Sequence, residues 1–115
     1  MKHIVLVDDE PAVLELLELA LASPDRCLHA YSDPLRALES LSEHGADLIL
    51  TDLDMPGMTG IEFLKVCRVR MPNAKMAILT GRGGVKEAVT AMKAGAVDFF
   101  TKPLSCDELR QNVGR

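Results

Sequence analysis

Four acidic residues and one lysine of this sequence fall where short apolar runs end. Ile4 to Val7 runs into Asp8-Asp9-Glu10, Leu48 to Thr51 into Asp52, Met76 to Leu79 into Thr80, and Val97 to Phe100 into Thr101-Lys102. A short apolar run bounded by turn residues reads as a buried strand. In a parallel sheet all these ends form one rim, where open α/β sheets place their ligand crevice. Asp8, Asp9, Asp52, Thr80 and Lys102 would meet there. Three carboxylates a few ångströms apart repel, and one is driven towards protonation unless a cation intervenes. A hard divalent cation with oxygen ligands, Mg2+ keeping several waters, resolves the conflict. With Lys102 as a second positive charge and Thr80 as a hydroxyl donor, the set suits phosphoryl transfer. Asp52 can accept the group as an aspartyl phosphate, and the metal and the lysine neutralise its equatorial oxygens. No P-loop or Gly-rich nucleotide fingerprint follows the first run, so ATP is not expected as the direct donor.

The elements that must position these residues alternate. Pro11 fits the first position of a helix, and Val13, Leu16, Leu17, Ala20 and Leu21 give it an apolar face. Cys27 to Tyr31 is a short, weakly apolar strand, expected at a sheet edge. Asp33-Pro34 reads as a cap and first helical residue, Leu35, Leu38 and Leu41 mark the second helix, and Gly45 closes it. Thr59 and Glu62 form a capping box for a third helix with Ile61, Leu64 and Cys67 inward, ending before Pro72. Val85, Ala88, Val89 and Met92 form a fourth apolar stripe, with Gly95 at its end. Ser105 and Glu108 cap a last helix with Leu109 and Val113 on its apolar face. Five strands alternating with five helices predict a doubly wound (βα)5, flavodoxin-like α/β fold with a parallel five-stranded sheet in the order 2-1-3-4-5.

Residues 1–115 suit one domain, and the short last helix is compatible with a domain excised from a longer regulator. A net charge of −4 and a pI near 5.3 argue against direct nucleic-acid binding by this segment. No apolar run approaches the roughly 18–20 residues that span a bilayer, and no signal peptide is visible. Cys27, Cys67 and Cys106 lack CxxC spacing and read as reduced core or surface residues, neither disulfides nor a metal site. The expected location is cytoplasmic. His3, His29 and His44 share no spacing with one another or with the acidic rim and read as non-catalytic.

Several stretches together resemble the response regulator receiver domains of bacterial two-component signalling. They are Leu6-Val7-Asp8-Asp9-Glu10, Thr51-Asp52-Leu53-Asp54-Met55-Pro56-Gly57-Met58-Thr59-Gly60, Ile78-Leu79-Thr80-Gly81 and Ala91-Met92-Lys93-Ala94-Gly95-Ala96-Val97-Asp98-Phe99-Phe100-Thr101-Lys102-Pro103. The last block is most similar to receivers of nitrogen-regulation and nitrogen-fixation transcriptional regulators. The resemblance implies a phosphorylation-dependent switch with Asp52 as phosphoacceptor. It implies direct Mg2+ ligation by Asp9, Asp52 and the backbone carbonyl of Asp54, with Asp8 acting through water. Thr80 and Lys102 would contact the phosphoryl oxygens, Thr80 and Phe99 would form the switch pair, and Lys102-Pro103 would be a cis peptide. The implied partners are a histidine kinase or phosphotransfer protein, an output domain beyond Arg115, and a second copy docked through helix 4, strand 5 and helix 5. The implied chemistry is not that of an enzyme beyond self-catalysed phosphoryl transfer and dephosphorylation.

Gly81 departs from the family's usual Ala or Ser, which implies a more open phosphate pocket. Arg82 and Asp54 are expected to flank that pocket and slow hydrolytic water. Without the resemblance, Phe99 is most simply a core residue. Two other readings compete. Asp52-x-Asp54 also matches the nucleophile and acid of haloacid-dehalogenase phosphohydrolases, although Asp8-Asp9 then precede the nucleophile instead of following it. An inert receiver-like interaction module is the other.

Overall fold

The computed structural model describes residues 2–53, 55, 57–81 and 85–102, without the side chains of Thr80, Val85, Glu87, Ala88 and Thr101. The expectations for Asp54, Arg82, the Lys102-Pro103 peptide and the last helix lie outside the described residues.

The elements alternate as β1 (Lys2–Val7), α1 (Pro11–Leu21), β2 (Arg26–Tyr31), α2 (Pro34–His44), β3 (Leu48–Asp52), α3 (Gly60–Arg70), β4 (Lys75–Thr80), α4 (Val85–Lys93) and β5 (Asp98–Thr101). The sheet order is β2-β1-β3-β4-β5, and every neighbouring pair is parallel. This is the expected doubly wound topology, with the weak second strand at an edge.

Both faces of the sheet are buried, which is why its strands read as continuous apolar runs. Val5, Ile49 and Ile78 pack on one face against Ala37 and Leu41 of α2 and Phe63 and Leu64 of α3. Ile4, Leu6, Leu50 and Leu79 pack on the other against Leu14, Leu17 and Leu21 of α1. The local signals for helix ends hold. The Asp33 side chain accepts a 3.0 Å hydrogen bond from the Leu35 N–H, with Pro34 at the first helical position. Thr59 and Glu62 form the expected capping box, each bond 3.2 Å.

The outward-facing apolar residues differ from expectation. Leu35 is 57% exposed, and Ala37, Leu38 and Leu41 make the buried face of α2. Leu14, not among the expected face of α1, is buried, while Leu16 is only half-buried. On α4, Val89 and Met92 are each 45% exposed, and Ala91 is buried. The fifth strand starts at Asp98 instead of Val97. The Val97 N–H donates to the Met76 carbonyl at 2.7 Å, but its side chain is 57% exposed. Phe100 is the inward aromatic of this edge strand, and Phe99 is 37% exposed, so the expectation of Phe99 as a core residue is corrected.

Candidate functional site

Strand register brings the expected residues to one rim. Asp8 follows β1, Asp52 ends β3 opposite Leu79 of β4, and Thr80 ends β4 opposite Thr101, the residue before Lys102. The loop after β3 is tied to the neighbouring strand β4 and to the start of α3. The Leu53 N–H donates to the Leu79 carbonyl at 3.1 Å, and the Gly60 N–H donates to the Leu53 carbonyl at 2.7 Å. A Cβ at Gly60 would stand 2.8 Å from Leu53 Cα and 3.0 Å from the carbonyl carbon of Asp52. Only glycine lets α3 begin this close behind Asp52.

Lys102 is the centre of the charge arrangement. Its Nζ lies 2.9 Å from Asp8 Oδ2, 3.4 Å from Glu10 Oε1 and 3.5 Å from Asp52 Oδ2. Asp8 and Asp52 are buried, whereas Asp9 and Glu10 are exposed. Asp8 Oδ1 accepts from the Glu10 N–H at 2.9 Å. Apart from the Lys102 ammonium, the buried Asp8 Oδ2 has no polar partner among the described residues. One oxygen each of Asp8, Asp9 and Glu10 lies within 4.8 Å of the others.

The titration of Asp52 follows from this setting. Burial and then the charge of Asp8 push its carboxyl above the ordinary value, against the opposing pull of Lys102. Burial alone would lower Lys102. The hydrogen bond to Asp8, and the charges of Asp8, Asp52 and Glu10, reverse this and hold the ammonium above its ordinary value. The rim therefore gathers more negative charge than one lysine balances. Its donors are all hard oxygens, and the buried Asp8 Oδ2 meets only the Lys102 ammonium among the described residues. That combination fits a hard divalent cation such as Mg2+.

Glu10 is a partner of Lys102 that the sequence reading did not single out. Its place directly after Asp8-Asp9 was the available signal. The three histidines, unrelated in spacing, are also brought together. They stack at the opposite end of β1, far from the acidic rim.

Comparison with known proteins agrees with this geometry. Residues 4–114 match the family described as response regulator receiver domain. The chain is 36% identical over 109 residues to the response regulator protein PilR of Pseudomonas aeruginosa, covering 95% of this chain and 24% of that protein. It is 36% identical over 107 residues to the transcriptional regulatory protein FixJ of Bradyrhizobium diazoefficiens, covering 93% of this chain and 52% of that one. The chain thus spans between a quarter and about half of the length of these curated relatives. Among solved structures, a response regulator receiver domain protein from Clostridium thermocellum superposes with a TM-score of 0.89 at 27% identity, covering 99% of this chain and 92% of that one. Nothing in these comparisons supports the phosphohydrolase or inert-module readings. A match over nearly the whole chain, on the sheet order and the acid-lysine rim just described, means that this chain belongs to the response regulator receiver domain family, the signalling phosphoacceptor domains of two-component systems.

Proposed function

We propose that Asp52 is the phosphoacceptor of this receiver and that Lys102 and Thr80 handle the incoming phosphoryl oxygens. The observation that carries this reading is the buried Asp52 at the end of the central strand, with Lys102 3.5 Å away and Asp8 beside it. A carboxylate oxygen of Asp52 attacks the phosphorus of a phosphohistidine on a kinase or phosphotransfer protein. The phosphorus–nitrogen bond breaks, the imidazole leaves with a proton from solvent, and an acyl phosphate forms on Asp52. Lys102 exchanges part of its contact with Asp8 for one with the new phosphoryl oxygen. Hydrolysis returns the carboxylate when water attacks the same phosphorus, so the domain resets without being an enzyme in the turnover sense.

Asp8, Asp9, Asp52 and the Asp54 carbonyl would hold Mg2+, with Asp8 acting through water. The bound ion would supply charge neutralisation on the transferring group. Val89 and Met92 on α4, Val97 just before β5 and Phe99 on β5 are exposed apolar residues. We assign these residues to the output of the switch: a second copy of the chain or an output domain following it in a cytoplasmic transcriptional regulator. Arg82 and Asp54 are assigned to the pocket mouth, where they would lengthen the phosphate lifetime. Beryllofluoride with Mg2+ tests the reading. Backbone amide resonances near Thr80 and Phe99 should shift in the wild type and stay fixed in Asp52→Asn; equal shifts in both would overturn it.

A further inference from the structure

The end of β1 farthest from Asp8 carries a group of side chains that phosphoryl transfer does not use. The β1–β2 register sets His3 against Cys27 and Val5 against His29. Side chains two residues apart share a face of a strand. His3, Cys27 and His29 therefore lie on the face that α2 covers, and His44 is the last residue of α2. About five residues of strand, roughly 16 Å, separate His3 from Asp8.

The three rings lie nearly parallel. The His29 and His44 centroids are 3.6 Å apart with planes at 11°, and His3 is 5.3 Å from His29 and 5.4 Å from His44. His3 Nδ1 and His29 Nε2 are 3.0 Å apart. One nitrogen from each of these rings and the Cys27 sulfur all lie within 4.8 Å of one another. Two imidazole nitrogens on a tetrahedral Zn2+ stand about 3.3 Å apart, so little movement separates this arrangement from a ligating one.

His44 adds an independent observation. Its Nδ1 lies 2.6 Å from the Gly45 carbonyl oxygen, which can only accept. In the neutral ring the proton therefore sits on Nδ1, and Nε2 carries the lone pair. That Nε2 is buried and has no hydrogen-bond partner among the described residues. An unmet buried acceptor costs about 1–3 kcal/mol. A ring proton given to a backbone carbonyl is also how histidines around metal sites are commonly oriented.

We infer that His3, Cys27 and His29 form a binding site for a borderline-soft divalent transition ion, Zn2+ in the first instance, with His44 as the positioning ring stacked on His29. Two nitrogens and a thiolate suit Zn2+ and not Mg2+, so the site is chemically separate from the acidic rim. Binding releases the Cys27 thiol proton to solvent and leaves a fourth position for water. The ion would clip the edge strand β2 to β1.

The test uses the full chain carrying no polyhistidine tag, with Mg2+ in large excess to occupy the acidic rim. Zn2+ is titrated against a chromophoric chelator, and Co2+ serves as a spectroscopic substitute. The expected result is one tight Zn2+ per chain, weakened at least tenfold by Cys27→Ser and by His29→Gln. With Co2+, Cys27→Ser should also abolish the sulfur-to-cobalt charge-transfer absorption. His44→Gln should weaken Zn2+ binding and shift the cobalt ligand-field bands, which a purely structural ring would leave in place. Unchanged melting in EDTA and unchanged Mg2+-dependent phosphorylation by acetyl phosphate keep loss of folding out of the result. Absent Zn2+ binding, binding displaced by Mg2+, or binding that survives the Cys27→Ser/His29→Gln double variant would overturn the inference.

Discussion

The Lys102 ammonium lies 2.9 Å from Oδ2 of the buried Asp8, closer than to either of the other two carboxylates it meets. In the unphosphorylated domain the lysine is therefore chiefly Asp8's counter-ion. Lys102→Met should cost about 1–3 kcal/mol in the absence of Mg2+, since it strands a buried charge. Millimolar Mg2+ should restore most of this in thermal melts, while phosphate uptake stays impaired. The Lys102 pKa is raised on folding, chiefly by Asp8 against the cost of burial. Its contribution to stability is then complete below the unfolded lysine value and is lost as pH rises through the folded one. Melting curves from neutral to strongly alkaline pH should show this loss in the wild type and not in Lys102→Met.

Asp52 titrates with the opposite consequence for neutral pH. Burial and Asp8 raise its folded pKa, so its contribution to stability is complete below the unfolded carboxylate value and lost as pH rises through the folded one. At pH 7 without Mg2+, Asp52→Asn should therefore melt higher than the wild type by a few degrees. Added Mg2+ should narrow or reverse that difference. Phosphate uptake needs the ionised carboxylate, so its rate should begin to fall at a higher pH than an ordinary aspartate would dictate.

Two glycines near the site should respond oppositely to alanine. A Cβ at Gly60 would run into the backbone of Asp52 and Leu53. Backbone cannot step aside cheaply, so Gly60→Ala should cost about 1–3 kcal/mol and slow uptake by displacing Asp52. Among the described residues, a Cβ at Gly81 would meet only Lys102 Cδ at 3.9 Å, an ordinary contact. Gly81→Ala should be neutral or stabilising by about 0.4–1 kcal/mol. Denaturant unfolding of both variants checks the pair.

The exposed apolar residues of α4 and β5 predict association. With beryllofluoride and Mg2+, light scattering should report a larger species, which Met92→Lys or Val89→Lys should abolish while phosphorylation continues. A monomer under both conditions would move the output role to contact with a following domain.

How much of this was legible in the sequence depended on how local the signal was. The strand order, the caps at Asp33 and Thr59, and the rim of Asp8, Asp52 and Lys102 follow from residues whose neighbours along the chain carry the information. The direction of an apolar stripe does not. Leu35, Val89 and Met92 have helical spacing, yet they point outward because the neighbouring positions Ala37, Leu38 and Ala91 fill the limited space over the sheet. Phe99 failed as a core residue because adjacent strand residues face opposite sides and Phe100 takes the buried side of β5. The histidine group was invisible because residues 3, 29 and 44 meet only through the β1–β2 register and the end of α2.

The central claim, that Asp52 accepts the phosphoryl group, is tested most directly by locating the modification. The full chain is incubated with Mg2+ and either acetyl phosphate or a phosphorylated histidine kinase, trapped with borohydride, digested and sequenced by mass spectrometry. The account predicts one Mg2+-dependent modification, on the peptide containing Asp52, that is absent in Asp52→Asn and largely lost in Lys102→Met. Modification at another residue in the wild type, or undiminished labelling of Asp52→Asn, would contradict it.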